Sequence, residues 1–213
     1  IKVIPNSIDV KRFLPAHEKV QENNILYFGS LIRKKGVLEL PEIFNRIIKQ
    51  VPGARLVLAG KDVPDISTGR STKELMIENF YPEAAEKVEW LGSLPYEAIL
   101  NEIAKARVVV LPSFAEALPM TWIEAMAMEK ALVTSDIGWA KEVMIDGKTG
   151  FMVDPKDHVA FSEKVVTLLK DPRLAQQMGR AARERVLEKF STEVVVEQNI
   201  AFYEGVVRKA EQA

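Results

Sequence analysis

The 213-residue chain carries 29 basic and 30 acidic residues for a net charge of −1, is 47% hydrophobic and contains no cysteine. That balance gives no global electrostatic basis for binding nucleic acid or an anionic membrane. The lack of thiols excludes disulfides, thiol catalysis and thiolate metal sites, which fits a reducing compartment. No apolar run reaches the ~18 residues of a membrane span, and no signal-peptide pattern opens the chain. The chain starts without Met, inside the strand-like segment IKVIP, so a fragment of a longer protein is expected.

Apolar residues alternate through IKVIP before a turn at Pro5 and Asn6. A buried strand is predicted over residues 25–28, ending at Gly29, which can turn tightly at a strand end. The basic loop IRKKG follows, and then a helix over residues 37–50. Its apolar positions Val37, Leu40, Ile43, Phe44, Ile47 and Ile48 keep the 3.6-residue period. Arg33, Lys34 and Lys35 thus stand just before a helix N-terminus, where the helix dipole disfavours cations. A basic cluster placed against that preference points to an anionic ligand such as a phosphate; the plainer alternative is a solvated charged loop.

Pro52 and Gly53 turn the chain into a strand at 55–59 that ends at Gly60. Residues 61–70 form a loop without a readable pattern, followed by a helix around 72–79. A short strand at 88–91, a turn at Gly92 and a helix at 96–106 come next. Trp90 and Tyr96 are candidate platforms for a nucleobase, although aromatics at such positions belong to the core more often than not.

The most informative stretch is VVVLPSFAEALPMTWIEAMAM, residues 108–128. A buried strand at 108–111 ends at Pro112, a polar turn covers 113–119, and a helix opens at about Met120 or Thr121. In an open α/β sheet, ligands sit outside the carboxyl end of a strand, against the next helix's N-terminus. The N–H groups of Ala117, Leu118, Pro119 and Met120, with the helix dipole, are expected to hold an anion such as a diphosphate. Glu116 in the turn and Glu124 in the first helical turns flank this opening, with seven residues between them. Carboxylates so placed can accept hydrogen bonds from the hydroxyls of a ribose or a sugar.

Beyond it, the pattern predicts a strand at 131–134, a turn at Gly138 and Trp139, a short helix at 140–145, a turn at Asp146 and Gly147, and a last strand at 150–153. Asp157 caps a helix at 158–169, which Asp171 and Pro172 stop. A charged amphipathic helix at 173–189 and a final helix at 192–210, with a fraying tail, complete the chain. His17 and His158 read as surface residues, and two so placed do not make a metal site. The alternation of strands and helices implies an α/β fold: a single Rossmann-like, doubly wound parallel sheet spanning residues 1–213. No Gly-x-Gly-x-x-Gly follows any strand, which argues against a Rossmann dehydrogenase.

The pair Glu116 and Glu124, after a strand ending Pro112-Ser113 and before Ala125-Met126-Ala127, resembles the retaining family-4 glycosyltransferases. The resemblance is to the donor-binding C-terminal half of their GT-B fold, and it extends over most of the chain. Asn6, Ile8, Asp9 and Phe13 fit the pattern that leads in from an N-terminal domain, with Ser7 where Gly is usual. Gly138 and Trp139 precede Glu142 and Val143 where the family has Gly-Gly before Glu-Val. Phe190 and Ser191 precede the last helix, with Thr192 in place of Trp. The sequence departs at Ser30, where an Arg often follows the Gly, and at Glu129, Lys130 and Ala131, where Gly-x-Pro is usual.

The resemblance implies that Lys35 contacts the diphosphate of a nucleoside-diphosphate sugar, with Arg33 standing in for the absent Arg. It implies that Glu124 accepts the ribose hydroxyls and that Glu116 contacts the donor sugar near its reacting face. Transfer with retention is expected, without a cofactor and without a metal, since no Asp-x-Asp pair occurs in the chain. A glycan or lipid-linked acceptor would bind through an N-terminal domain absent from this chain, so the fragment alone should be inactive. A cytoplasmic enzyme is expected, its full-length form associating peripherally with the inner face of the membrane. Two readings compete: a non-catalytic nucleotide- or sugar-binding module, and another GT-B enzyme such as a nucleotide-sugar epimerase or a phosphorylase. Whether Glu116 attacks covalently or the acceptor enters on the same face stays open, as do the base, the sugar and the acceptor.

Overall fold

Six short, mostly apolar runs pair into one parallel sheet in the computed structural model, which describes residues 2–211. They are β1 (Asn24–Phe28), β2 (Arg55–Ala59), β3 (Val88–Gly92), β4 (Val108–Leu111), β5 (Ala131–Ser135) and β6 (Phe151–Val153). Their order across the sheet is β3-β2-β1-β4-β5-β6. Every residue of β1, β4 and β5 is buried, because helices cover the sheet and a parallel strand buried on both faces reads as a continuous apolar run. The winding reverses between β1 and β4, where Ile25 pairs with Val108 and Leu26 with Val109. A reversal of this kind is where open α/β sheets place their ligand crevices, outside the carboxyl ends of the strands.

The main helices are α1 (Leu40–Gln50), α2 (Thr72–Ile77), α3 (Pro82–Ala85), α4 (Tyr96–Lys105), α5 (Met120–Ala127), α6 (Ala140–Val143), α7 (His158–Lys170), α8 (Pro172–Lys189) and α9 (Thr192–Glu211). The apolar face of α1, with Ile43, Phe44 and Ile47 buried, packs on α7, and α5 packs on α8. Among the described residues no helix is long and apolar enough to cross a membrane.

The expected elements are present, with differences that have local causes. The helix expected from residue 37 opens as a 3-10 turn, Val37–Glu39, in which Leu40 N–H donates to the Val37 carbonyl. Pro41 has no N–H to continue that ladder, so the α-helix proper begins at Leu40. The basic loop is also a 3-10 turn, Arg33–Lys35, closed by Gly36 in the left-handed region at φ +69°. α2 stops at Ile77 rather than at residue 79, with the Asn79 side chain donating to the Leu75 carbonyl at 2.7 Å. α3, with Pro82 in its first turn, was not expected.

Residues 2–7 form no strand, in contrast to the strand expected at the start; Ile1 lies outside the described residues. The segment is tied down instead by Ile8, whose N–H donates to the Phe190 carbonyl and whose carbonyl accepts from Thr192 N–H. Of the tail expected to fray, residues 212–213 lie outside the described residues. The histidines lie at the surface, His17 half exposed and His158 less so, each beside a carboxylate: His17 Nε2 lies 2.9 Å from Glu129 Oε2, and His158 Nε2 lies 2.6 Å from Glu39 Oε2.

Candidate active site

The crevice between β1 and β4 gathers most of the residues that the sequence singled out. The connection leaving β1 passes Gly29 and carries the Arg33–Lys35 turn; the connection leaving β4 carries Ser113 to Pro119 and then α5. Two close approaches lock the connections together. A Cβ on Gly36 would lie 1.8 Å from the Pro112 carbonyl oxygen, so only glycine fits there. Beside it, Phe114 N–H donates to the Lys34 carbonyl at 2.8 Å. A Cβ on Gly60 would lie 1.8 Å from the Gly29 carbonyl oxygen, which brings the ends of β1 and β2 together in the same way. Gly29 therefore contributes through close backbone packing.

Lys35 and Glu116 meet across the crevice: the Lys35 ammonium is ion-paired with Glu116 Oε1. Ser113 Oγ donates to the same oxygen at 2.8 Å. Tyr27 lies beneath, with its hydroxyl donating to the Ser30 carbonyl at 2.8 Å. Burial, and then the Glu116 charge, push the Tyr27 phenol far above its ordinary pKa, so it stays neutral.

Glu124 lies on α5 in a different environment. Its Oε1 accepts from the Tyr96 hydroxyl at 2.8 Å. Tyr96 packs edge-on against Phe13, with ring centroids 6.1 Å apart, and the Arg12 guanidinium sits 4.5 Å above its ring. Burial raises the Glu124 pKa, an effect that the Tyr96 hydrogen bond and the Arg12 charge partly offset. The Tyr96 phenol is raised as well, by burial and then by the bond to Glu124.

Arg33 is paired with a carboxylate as well. Its Nε and a terminal nitrogen bond both oxygens of Asp65 at 2.7 and 2.9 Å, a bidentate pair. Asp65 is buried and also accepts from the Thr68 N–H and hydroxyl at 3.1 and 3.0 Å. The Arg33 bond, above the other contacts, holds the Asp65 carboxyl far below the usual carboxylate range. Two of the three Arg33 guanidinium nitrogens are thereby committed to Asp65.

The four residues expected to present N–H groups to an anion are not equivalent. Pro119 has no N–H and serves as the N-cap of α5, with its carbonyl accepting from Trp122 and Ile123 N–H. Ala117, Leu118 and Met120 do have the group, and among the described residues none of the three donates it to another backbone carbonyl outside the helices and strands. A helix N-terminus with unengaged N–H groups suits an anion.

Trp90 belongs to the core, where it packs against Phe80 at a ring separation of 6.3 Å. Tyr96, Ser113, Tyr27 and Asp65 are site residues that the sequence reading did not assign to the Glu124, Glu116 and Arg33 groups. Only Tyr96 had been noticed, as a possible stacking ring, and its hydroxyl is the part that reaches Glu124.

The chemistry of the crevice is thus a cation beside a carboxylate at the end of β1, a helix N-terminus with N–H groups to offer, and a second, partly buried carboxylate four residues into the helix. The family model described as Glycosyl transferases group 1 matches residues 10–185. Alpha-maltose-1-phosphate synthase of Mycolicibacterium smegmatis is 32% identical over 227 residues, covering 97% of this chain and 57% of the relative. Sucrose-phosphate synthase from Thermosynechococcus elongatus superposes with a TM-score of 0.82 at 26% identity, covering 98% of this chain and 53% of that one. The C-terminal domain of a glycosyl transferase group 1 family protein from Francisella tularensis superposes with a TM-score of 0.76 at 22% identity, covering 87% of this chain and 99% of that domain. The chain spans about half the length of the curated relatives it matches. It has the sheet of a GT-B half and belongs to the group 1 glycosyltransferases.

Proposed function

We propose that this chain is the nucleotide-sugar-binding domain of a retaining, metal-independent glycosyltransferase. The observation that carries the reading is the meeting of Lys35 and Glu116 at the β1/β4 reversal, one helix N-terminus away from Glu124. A nucleoside-diphosphate sugar presents vicinal ribose hydroxyls, a diphosphate and a sugar in that order. Glu124 suits the hydroxyls, being a hydrogen-bond acceptor already shaped by one phenol donor. Lys35 and the N–H groups of Ala117, Leu118 and Met120 suit the diphosphate, whose negative charge grows as the glycosidic bond to the leaving group breaks. Fixed donors aimed at developing charge are the usual large term in such catalysis, and here they would take the part that a divalent cation takes elsewhere.

Glu116 reaches the sugar side of that diphosphate and acts as a positioning and electrostatic residue. It pairs with the Lys35 ammonium in this structure; a diphosphate that competes for the ammonium would leave the carboxylate free for sugar hydroxyls. Acceptor binding and transfer belong to the whole protein, and this domain alone binds donor without transferring it. The full-length enzyme works at the cytoplasmic face of a membrane, on a glycan or lipid-linked acceptor.

The test is a titration of the chain with uridine, guanosine and adenosine diphosphates and their sugars, followed by ligand-observed NMR. Saturable binding of one nucleotide that weakens in both Glu124→Ala and Lys35→Ala is the expected result. Binding untouched by either substitution would sink this reading, as would failure of every nucleotide to bind the chain and its full-length parent.

A further inference from the structure

The turn that carries Glu116 has a second neighbour. Ala117 and Leu118 also line a cavity of about 600 Å³, closed by the N-terminal residues 3–6, the start of α6 and the junction of α8 and α9. Arg33, Lys35 and Glu124 are not part of its lining. Trp139 lines it as the N-cap of α6 and is 46% exposed. Its backbone is set by Gly138, which adopts φ +55° and whose Cβ position would lie 3.4 Å from the Glu116 carbonyl oxygen. The turn that carries Trp139 therefore runs beside the backbone of Glu116.

About half of Trp139 faces solvent, and with Val3, Ile4 and Leu118 it gives the cavity a contiguous apolar wall; such a patch rimmed by polar groups marks a binding site. The rim is present here. Asn6, Glu142, Lys189 and Gln198 line the same cavity, and among the described residues none of these four side chains makes a hydrogen bond. Polar groups that make no hydrogen bond within the fold, around a flat aromatic face, complement one ligand class well; Glu142 also lies within electrostatic reach of Arg185. A pyranose has an apolar face of axial C–H groups, which rests on the electron-rich face of an aromatic ring, and an edge of hydroxyls that both donate and accept. The volume lies within the roughly 300–1,000 Å³ of small-molecule pockets, which is room for one or two sugar rings.

We propose that Trp139 is the stacking platform of a carbohydrate subsite beside Glu116, with Asn6, Glu142, Lys189 and Gln198 reading the hydroxyls of a hexopyranose. The proposal rests on the glycosyltransferase reading above and adds the residues that hold the sugar. The same ring chemistry arrives from two sources, the hexose of the donor or the terminal sugar of the acceptor, and the experiment separates them.

The chain and its Trp139→Ala and Trp139→Phe variants are titrated by ligand-observed NMR with three probe sets: nucleoside diphosphates, the matching nucleoside-diphosphate hexoses, and methyl hexosides with their disaccharides. Nucleoside diphosphates should bind all three chains alike. Carbohydrate affinity should fall about tenfold or more in Trp139→Ala and stay within about threefold in Trp139→Phe, which keeps the aromatic face. Loss confined to the advantage of a nucleoside-diphosphate hexose over its bare nucleotide assigns the subsite to the donor sugar. Loss confined to the free glycosides assigns it to the acceptor. Undiminished carbohydrate binding by Trp139→Ala, or no carbohydrate binding by the unmodified chain, overturns the proposal. Carbohydrate binding that depends on Trp139 in a chain that ignores every nucleotide would instead overturn the donor-site reading and leave this one standing.

Discussion

Cations serve two different ends in two regions of this domain. In the first region they close helices. Lys130 Nζ donates to the Ala104 and Ala106 carbonyls at the end of α4. Arg183 donates to the Ala127 carbonyl at the end of α5, and Arg185 to the Glu142 and Val143 carbonyls at the end of α6. A cation at a helix C-terminus satisfies orphan carbonyls and complements the dipole. In the second region, the β1/β4 crevice, Arg33 and Lys35 are paired with carboxylates, Asp65 and Glu116. A carbonyl is a fixed, neutral partner, and taking its cation away would undo a helix end. A carboxylate is itself an anion, and an anionic ligand can compete with it for the cation. On the proposed function, Lys35 is charge available for exchange with a ligand, whereas Arg33, paired with a buried carboxylate, also supports the fold.

The sharpest way to break that comparison is to remove one cation of each kind. Lys130→Met keeps the aliphatic stem but deprives the α4 carbonyls of their donor, and it should cost about 2–4 kcal/mol of stability in a urea or guanidinium titration. Nucleoside-diphosphate binding at its folded temperature should be unchanged. Lys35→Ala should do the reverse: a denaturation midpoint close to that of the unmodified chain, with nucleotide affinity down about ten- to hundredfold, the weight of a charge-assisted bond to phosphate. Were Lys35→Ala to unfold the domain, or Lys130→Met to abolish nucleotide binding at full stability, the division would fail.

A smaller effect, of opposite sign, tests the idea of a stand-in anion. Glu116→Gln removes the charge that competes for Lys35, so a bare nucleoside diphosphate should bind about two- to fivefold more tightly, while transfer by the full-length enzyme falls. Calorimetric titration decides it, and weaker nucleotide binding would contradict the exchange picture.

The smallest expected change concerns Asp65 and pH. Arg33 depresses the Asp65 pKa in the folded state, so the stabilisation is present above the ordinary Asp value of about 3.9 and is lost as pH falls through the depressed folded value. Asp65→Asn should lower the denaturation midpoint at neutral pH and flatten its decline below about pH 4. Parallel declines in both chains would assign the acid sensitivity to other carboxylates.

Much of this could be read from the sequence because the informative residues are local. Four buried residues before Pro112, a polar turn and an apolar helix place Glu116 and Glu124 without knowledge of the rest, and the Lys35-Gly36 pair follows its own strand in the same way. The partners were not legible. Asp65 sits in the patternless 61–70 loop, 32 residues from Arg33 in the chain, and only the folded loop brings its carboxylate to the guanidinium. Tyr96 reaches Glu124 across 28 residues from the start of α4, and its spacing looks like that of any ring on a helix face. The departure at Glu129 and Lys130 was visible, but not its remedy. Glu129 takes the left-handed conformation usually given to Gly, at φ +57°, and Lys130 turns inward to cap a different helix.

The contact between Gly36 and Pro112 has a consequence for engineering. With no space for a side chain between them, the turn bearing Lys35 and the turn bearing Glu116 form one cassette whose spacing is set when the sheet folds. Donor preference could then be retuned by exchanging side chains around a constant frame. A loop graft between relatives that carries residues 33–36 without residues 112–116 would bring mismatched halves of one mould, and the two turns should be transplanted together.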